Sequence, residues 1–151
     1  MAKDGPPRLL LLATDGSPAS EKATAYAIDR ASEGNARLLV MMVVDPTLIG
    51  GLAGAGATEK DLAKDLERDA RNAVNEAVER AQEAGVDAAG AVIELGAGED
   101  VAATVVRLAK ERNVNVIFVG SHGRTGMLAV MLGSTSEKIV KTAHCPVSVI
   151  R

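Results

Sequence analysis

Aromatic residues are almost absent from this sequence. It has no tryptophan, and Tyr26 and Phe118 are its one tyrosine and one phenylalanine. A stacking platform for single-stranded nucleic acid needs several aromatic faces, so that class of partner is excluded. A single cysteine, Cys145, rules out an internal disulfide and any cysteine-rich metal site. An excess of basic charge is also missing. The net charge is −3, without the electrostatic footprint of a protein that grips a phosphate backbone. No apolar run approaches the roughly 18 residues that suggest a membrane span. The segment from Met1 to Arg8 is polar and contains prolines, without the apolar stretch of a signal peptide. The expectation is a cytoplasmic protein with no nucleic-acid or membrane partner, and with residues 1–7 as a disordered tail.

What is present is aliphatic. Hydrophobic residues make up 47% of the 151 positions, enough chain for one domain with a core of Leu, Val, Ile, Ala and Met. Short apolar runs alternate with helical patterns. Leu9–Ala13 and Leu38–Val44 read as strands buried on both faces. Between them, Ala23, Ala27 and Ala31 recur on one helix face, after Ser17 as N-cap and Pro18 in the first turn, and Gly34-Asn35 stops the helix. Thr58 opens a longer helix with Asp61 at the acidic place of a capping box and Leu62, Leu66, Ala70, Val74, Ala77 and Ala81 on one face; Gly85 ends it. Val86–Leu95 reads as a weaker third strand. A helix follows over Glu99–Arg112, stopped by Asn113, then a strand over Val114–Val119, a helix over Ser134–Ala143 and a final strand over Pro146–Ile150. Alternation of about five strands with helices predicts a single doubly wound, Rossmann-like α/β domain, a parallel sheet with helices on both faces.

In such a sheet the first strand is central, the second and third lie to one side and the fourth to the other. Ligands bind beyond the carboxyl ends of the strands where the order reverses. That point falls between the ends of the first and fourth strands, and the unusual residues stand there. Thr14-Asp15-Gly16-Ser17 follows the first strand. Gly120-Ser121-His122-Gly123-Arg124-Thr125-Gly126 follows the fourth, and Gly120, Gly123, Gly133 and Ser134 form the spacing G-x2-G-x9-G-[ST]. Glycines let backbone N–H groups approach an anion, and a helix opening at Gly133-Ser134 presents unpaired N–H groups to a phosphate. Glycines that serve only tight turns would give the same spacing. Arg124 is placed as a phosphate contact or a solvated side chain. His122 lacks a nucleophile partner, so a direct chemical role is not expected. His144 and Cys145 are too few to hold a metal and read as packing or surface residues.

These segments, with Val43-Val44-Asp45-Pro46, Leu132-Gly133-Ser134 and the ending His144-Cys145-Pro146-Val147-Ser148-Val149-Ile150-Arg151, resemble the universal stress protein family from Arg8 onward. The full glycine spacing resembles its ATP-binding branch. The resemblance implies ATP, with Mg or Mn, in the crevice. Asp15 would lie at the ribose and phosphate side near any metal, the Val43 backbone at the adenine edge, and Gly120 and Gly123 along the ribose and phosphates. Gly133, Ser134 and Thr135 would hold the phosphate tail, and Ala13 and Arg124 complete the set of contacts. Met42 stands where relatives often have His. The resemblance also implies a homodimer paired through Pro146 to Arg151, whose edge position would otherwise leave a strand uncovered.

Three functions compete. One is a nucleotide-dependent stress-response or signalling module. Another is a slow ATPase or a nucleotidyl-transfer enzyme of related fold, although the S-G-G-x-D and G-x4-G-K-[ST] loops of such enzymes are absent. The third is a structural dimer with an empty pocket. The segment from Thr47 to Ala57, with Gly50, Gly51, Gly54 and Gly56 beside Leu48, Ile49 and Leu52, reads as a mobile loop.

Overall fold

The computed structural model describes residues 6–45, 59–121 and 133–151. The loop expected at Thr47–Ala57 and the capping residue Thr58 lie outside them. The elements run β1 (Leu9–Ala13), a 3₁₀ turn (Pro18–Ser20), α1 (Glu21–Glu33), β2 (Arg37–Val44), α2 (Glu59–Glu83), β3 (Ala88–Glu94), α3 (Val101–Glu111), β4 (Val116–Gly120), α4 (Ser134–Thr142) and β5 (Val147–Ile150). All strand pairs are parallel, in the order β3-β2-β1-β4-β5. The doubly wound order expected from the sequence is therefore present, with the reversal between β1 and β4.

The strands are apolar on both faces because each face is covered by helices. Leu10 and Leu12 of β1 and Leu38, Val40 and Met42 of β2 pack against α1 and α2, which offer Ala23, Ala27, Ala31, Ala70, Ala77 and Ala81. Leu11, Leu39, Met41, Ile117 and Val119 point the other way, against Ala102, Val105 and Ala109 of α3 and Ile139 of α4. Large residues come mainly from the sheet and small ones from the helices, so the backbones approach closely. Gly90 on β3 shows how closely. A Cβ there would stand 2.4 Å from Val74 Cγ1 of α2.

Three helices end alike. Asn35, Gly85 and Asn113 have φ of 48°, 80° and 54°. The next residues, Ala36, Val86 and Val114, donate their N–H to the carbonyls of Ala31, Ala81 and Ala109. These are Schellman closures, and each following apolar residue is buried and leads toward the next strand. At all three stops the sequence reading is borne out; at the first, Asn35 rather than Gly34 takes the left-handed conformation.

Two starts differ from the expectation. Ser17 sits at an extended N-cap position, but of the 3₁₀ turn and with no side-chain cap bond; the α-helix begins at Glu21. Its hydroxyl is taken by Asp15, at 2.5 Å. At α3 the cap is Asp100, whose Oδ1 accepts from Ala103 N at 3.1 Å. The helix expected from Glu99 therefore starts two residues later.

Candidate functional site

Beyond the carboxyl ends of β1, β2 and β4 lies a cavity of about 380 Å³. Of the site residues expected from the sequence, Ala13, Asp15, Val43, Gly120, Gly133, Ser134 and Thr135 all line it. Gly123 and Arg124, together with His122, lie outside the described residues.

The wall built by the turn after β1 is closely hydrogen-bonded. Thr14 N continues the ladder to Met41 O at 3.0 Å. Gly16, at φ 73°, reverses the chain, and its N–H donates to Thr14 Oγ1 at 3.1 Å. Ser17 N donates to Asp15 Oδ1 at 2.9 Å, so the carboxylate is held by the turn that carries it. Ser20 is buried, accepts from the Thr14 hydroxyl at 2.9 Å and donates to Ser17 O at 2.8 Å.

The opposite wall is the start of α4. Gly133 N donates to Ser121 O at 2.9 Å, and the Ser136 hydroxyl donates to Gly120 O at 2.7 Å. These bonds fix the helix start against the end of β4. Ser134, Thr135 and Ser136 occupy the first turn, where N–H groups have no intrahelical acceptor. With the helix dipole, they make a place for negative charge. The helix itself is tied sideways. Lys138 Nζ lies 2.7 Å from Asp100 Oδ2, and this pairing, with the Ala103 amide, lowers the Asp100 pKa.

The apolar part of the lining is Met41, Met42, Val43 and Val44 from β2, Leu66 from α2, Val101 and Val105 from α3, Val119 from β4 and Ile139 from α4. Apart from Val43, sequence reasoning passed over these as core, and most of them are core. Only the topology tells which ends of core elements open on the crevice. Thr14 and Ser20 were also missed as lining residues. Their signal is the run of hydroxyls around Asp15, legible only once the 3₁₀ turn folds Ser20 back under Thr14. Asp45, directly after β2, is the other acidic residue of the lining. The described lining includes no Lys or Arg.

The outlying candidates read from the sequence have structural roles. His144 Nε2 is 3.1 Å from Val114 O, where it serves as the donor. Partial burial pushes the Cys145 thiol pKa up, against the thiolate form. Among the described residues no group of three or more His, Cys, Asp or Glu is placed to hold a metal, and no helix is long and apolar enough to cross a membrane.

The fold and crevice define a doubly wound parallel α/β domain with its site at the topological switch point. The family model described as the universal stress protein family matches residues 8–151, and the chain belongs to that family. A universal stress protein of Methanocaldococcus jannaschii is 32% identical over 143 residues, spanning 94% of this chain and 81% of its own. A solved universal stress protein of Archaeoglobus fulgidus in complex with dAMP has a TM-score of 0.67 at 16% identity, covering 97% of this chain and 98% of its own. Another universal stress protein, in complex with cAMP, has a TM-score of 0.70 at 21% identity, covering 95% and 97%. At these identities the two structures establish likeness of fold.

Proposed function

We propose that the crevice binds ATP and that the protein works as a nucleotide-dependent stress-response or signalling module rather than as an efficient enzyme. The observation that carries this reading is the meeting of Asp15, Val43, Gly120, Gly133, Ser134 and Thr135 around one cavity at the switch point. Its size suits a small-molecule ligand, for which pockets run from about 300 to 1,000 Å³. The apolar lining from β2, α2 and α3 suits a purine, and the first turn of α4 suits phosphate. The structural neighbours solved with dAMP and cAMP support an adenine nucleotide. Gly123 and Arg124 are proposed as further phosphate contacts on the strength of the spacing.

The donor set also fits a divalent ion. Asp15 offers hard oxygen, the ligand that Mg²⁺ or Mn²⁺ takes together with phosphate oxygens and water. Asp15 would help hold such an ion, which would offset phosphate charge in a described lining that has no Lys or Arg.

We further propose that β5 pairs with a second copy. It is an edge strand of the sheet, with every residue half-buried. Tyr26 and Val140, the exposed large apolar side chains among the described residues, stand on α1 and α4, both of which contact β5.

The test of the nucleotide reading is mass spectrometry of ligand released by denaturing freshly purified protein, with calorimetric titration of ATP into the emptied chain. ATP released and rebound, with affinity lost in a folded Gly123→Val variant, supports it. No release and no titration heat refutes it.

A further inference from the structure

The hydroxyls beneath Asp15 form a chain that the nucleotide reading does not use. Thr14 Oγ1 stands at its centre, accepting from Gly16 N at 3.1 Å and donating to Ser20 Oγ at 2.9 Å. Ser20 Oγ passes the chain on to Ser17 O at 2.8 Å, and that same carbonyl accepts from Ser20 N at 3.1 Å. Ser17, held in this way, presents its N–H and hydroxyl to Asp15 Oδ1 at 2.9 and 2.5 Å. Ser20 is also anchored downward, because its carbonyl accepts from the buried Thr24 hydroxyl of α1 at 3.1 Å. The strand end, the turn and the helix are thus joined through two hydroxyl groups that line the crevice wall.

We propose that Thr14 and Ser20 are positioning residues for Asp15. They hold the turn in the one arrangement that keeps the carboxylate fixed toward a cation bound with the nucleotide phosphates. A loose carboxylate would cost conformational entropy each time it met such an ion; a turn locked in advance has already met that cost. A hydroxyl at position 14 is required for this, since Gly16 N needs an acceptor and Ser20 needs a donor. A methyl group of the same shape provides neither. This inference rests on the proposed binding of a metal–nucleotide complex, so its test has one arm independent of ligand.

The experiment compares the wild type with Thr14→Val, which keeps the shape and removes the hydroxyl, and with Thr14→Ser, which keeps the hydroxyl. Amide hydrogen exchange at Gly16 and Ser17 is measured in protein without nucleotide, and ATP affinity is measured by calorimetry with Mg²⁺ and with chelator. Exchange at both amides is expected to rise in Thr14→Val and to return to the wild-type rate in Thr14→Ser. ATP affinity in Mg²⁺ is expected to fall roughly five- to tenfold in Thr14→Val, as for the loss of one or two hydrogen bonds, with little change in chelator and recovery in Thr14→Ser. Unchanged exchange in a folded Thr14→Val protein overturns the proposal. So does an equal loss of affinity with and without Mg²⁺, which marks Thr14 as a direct nucleotide contact or a general structural residue. If the exchange result holds while the wild type binds no ATP, the nucleotide reading fails and the turn-locking role stands alone, without the cation part of the proposal.

Discussion

Gly16 turns the chain at φ 73°, and a Cβ there would stand 3.0 Å from Met42 Cε. The methionine tip is flexible enough to move, so the obstacle to a side chain is the left-handed backbone itself. Gly16→Ala is expected to lose about 1–2 kcal/mol of stability in urea unfolding, and to weaken nucleotide binding because Asp15 rides on the same turn. Asp100 acts at the other wall, capping α3 and meeting Lys138 of α4. Lys138 and the Ala103 amide hold its pKa below the ordinary carboxylate value of 3.8. A lowered carboxylate pKa adds stability above the unfolded value, and that stability is lost as the pH falls through the folded value. Asp100→Ala is therefore expected to cost about 0.5–2 kcal/mol near pH 7, nearly all of it from the cap because the ion pair is exposed to solvent. The gap between variant and wild type should begin to narrow as the pH falls below about 3.8 and close once the pH has passed the lowered folded value. A gap that stays constant throughout acid unfolding would count against this. At this scale the sequence was only partly legible. Asn113 could be read as a left-handed stop, but Ser17 reads in sequence as the helix N-cap whereas its hydroxyl goes to Asp15; the two compete for it and only the 3₁₀ turn decides.

Among the elements, β3 looked weak in sequence because of its alanines and Gly90. The structure supplies the reason: α2 lies close against it, with Val74 and Val78 occupying the space a side chain at Gly90 would need. Gly90→Ala should cost about 1–3 kcal/mol by overpacking. In the double variant with Val74→Ala the cost should be less than the sum of the single changes, since the second change makes room for the first. Additive losses would show that the close approach is not what position 90 requires. At the opposite edge, Ile150 packs on the α1 side of the sheet and Val147 and Val149 on the α4 side, as successive strand residues point to opposite faces. Removing Val147–Arg151 is expected to convert a dimer to a monomer in analytical ultracentrifugation. A monomeric full-length chain at high micromolar concentration would refute the β5 pairing.

For the whole molecule, strand order and crevice position were legible because hydrophobic runs and turn residues fix a doubly wound sheet, and that sheet has one switch point. The apolar lining was not. Met41, Val101, Val105 and Ile139 look like any core residues until the ends of β2, α3 and α4 are placed together. The described crevice lining offers Asp15 and Asp45 but no Lys or Arg to offset charge on a transferred phosphoryl group. Phosphate release with Mg²⁺ or Mn²⁺ is accordingly expected far below the roughly 1 s⁻¹ lower end of typical turnover. Faster turnover that is abolished in Asp15→Asn without loss of binding would make the protein an enzyme.

Whether ATP occupies this crevice is tested by a map of backbone amide NMR shifts as ATP and Mg²⁺ are added. Saturable shifts are expected at Ala13–Ser17, Val43–Asp45, Gly120 and Gly133–Ser136, with β3 and the outer face of α2 unmoved. Saturable shifts centred elsewhere, or no shifts at millimolar ATP, would contradict that occupancy.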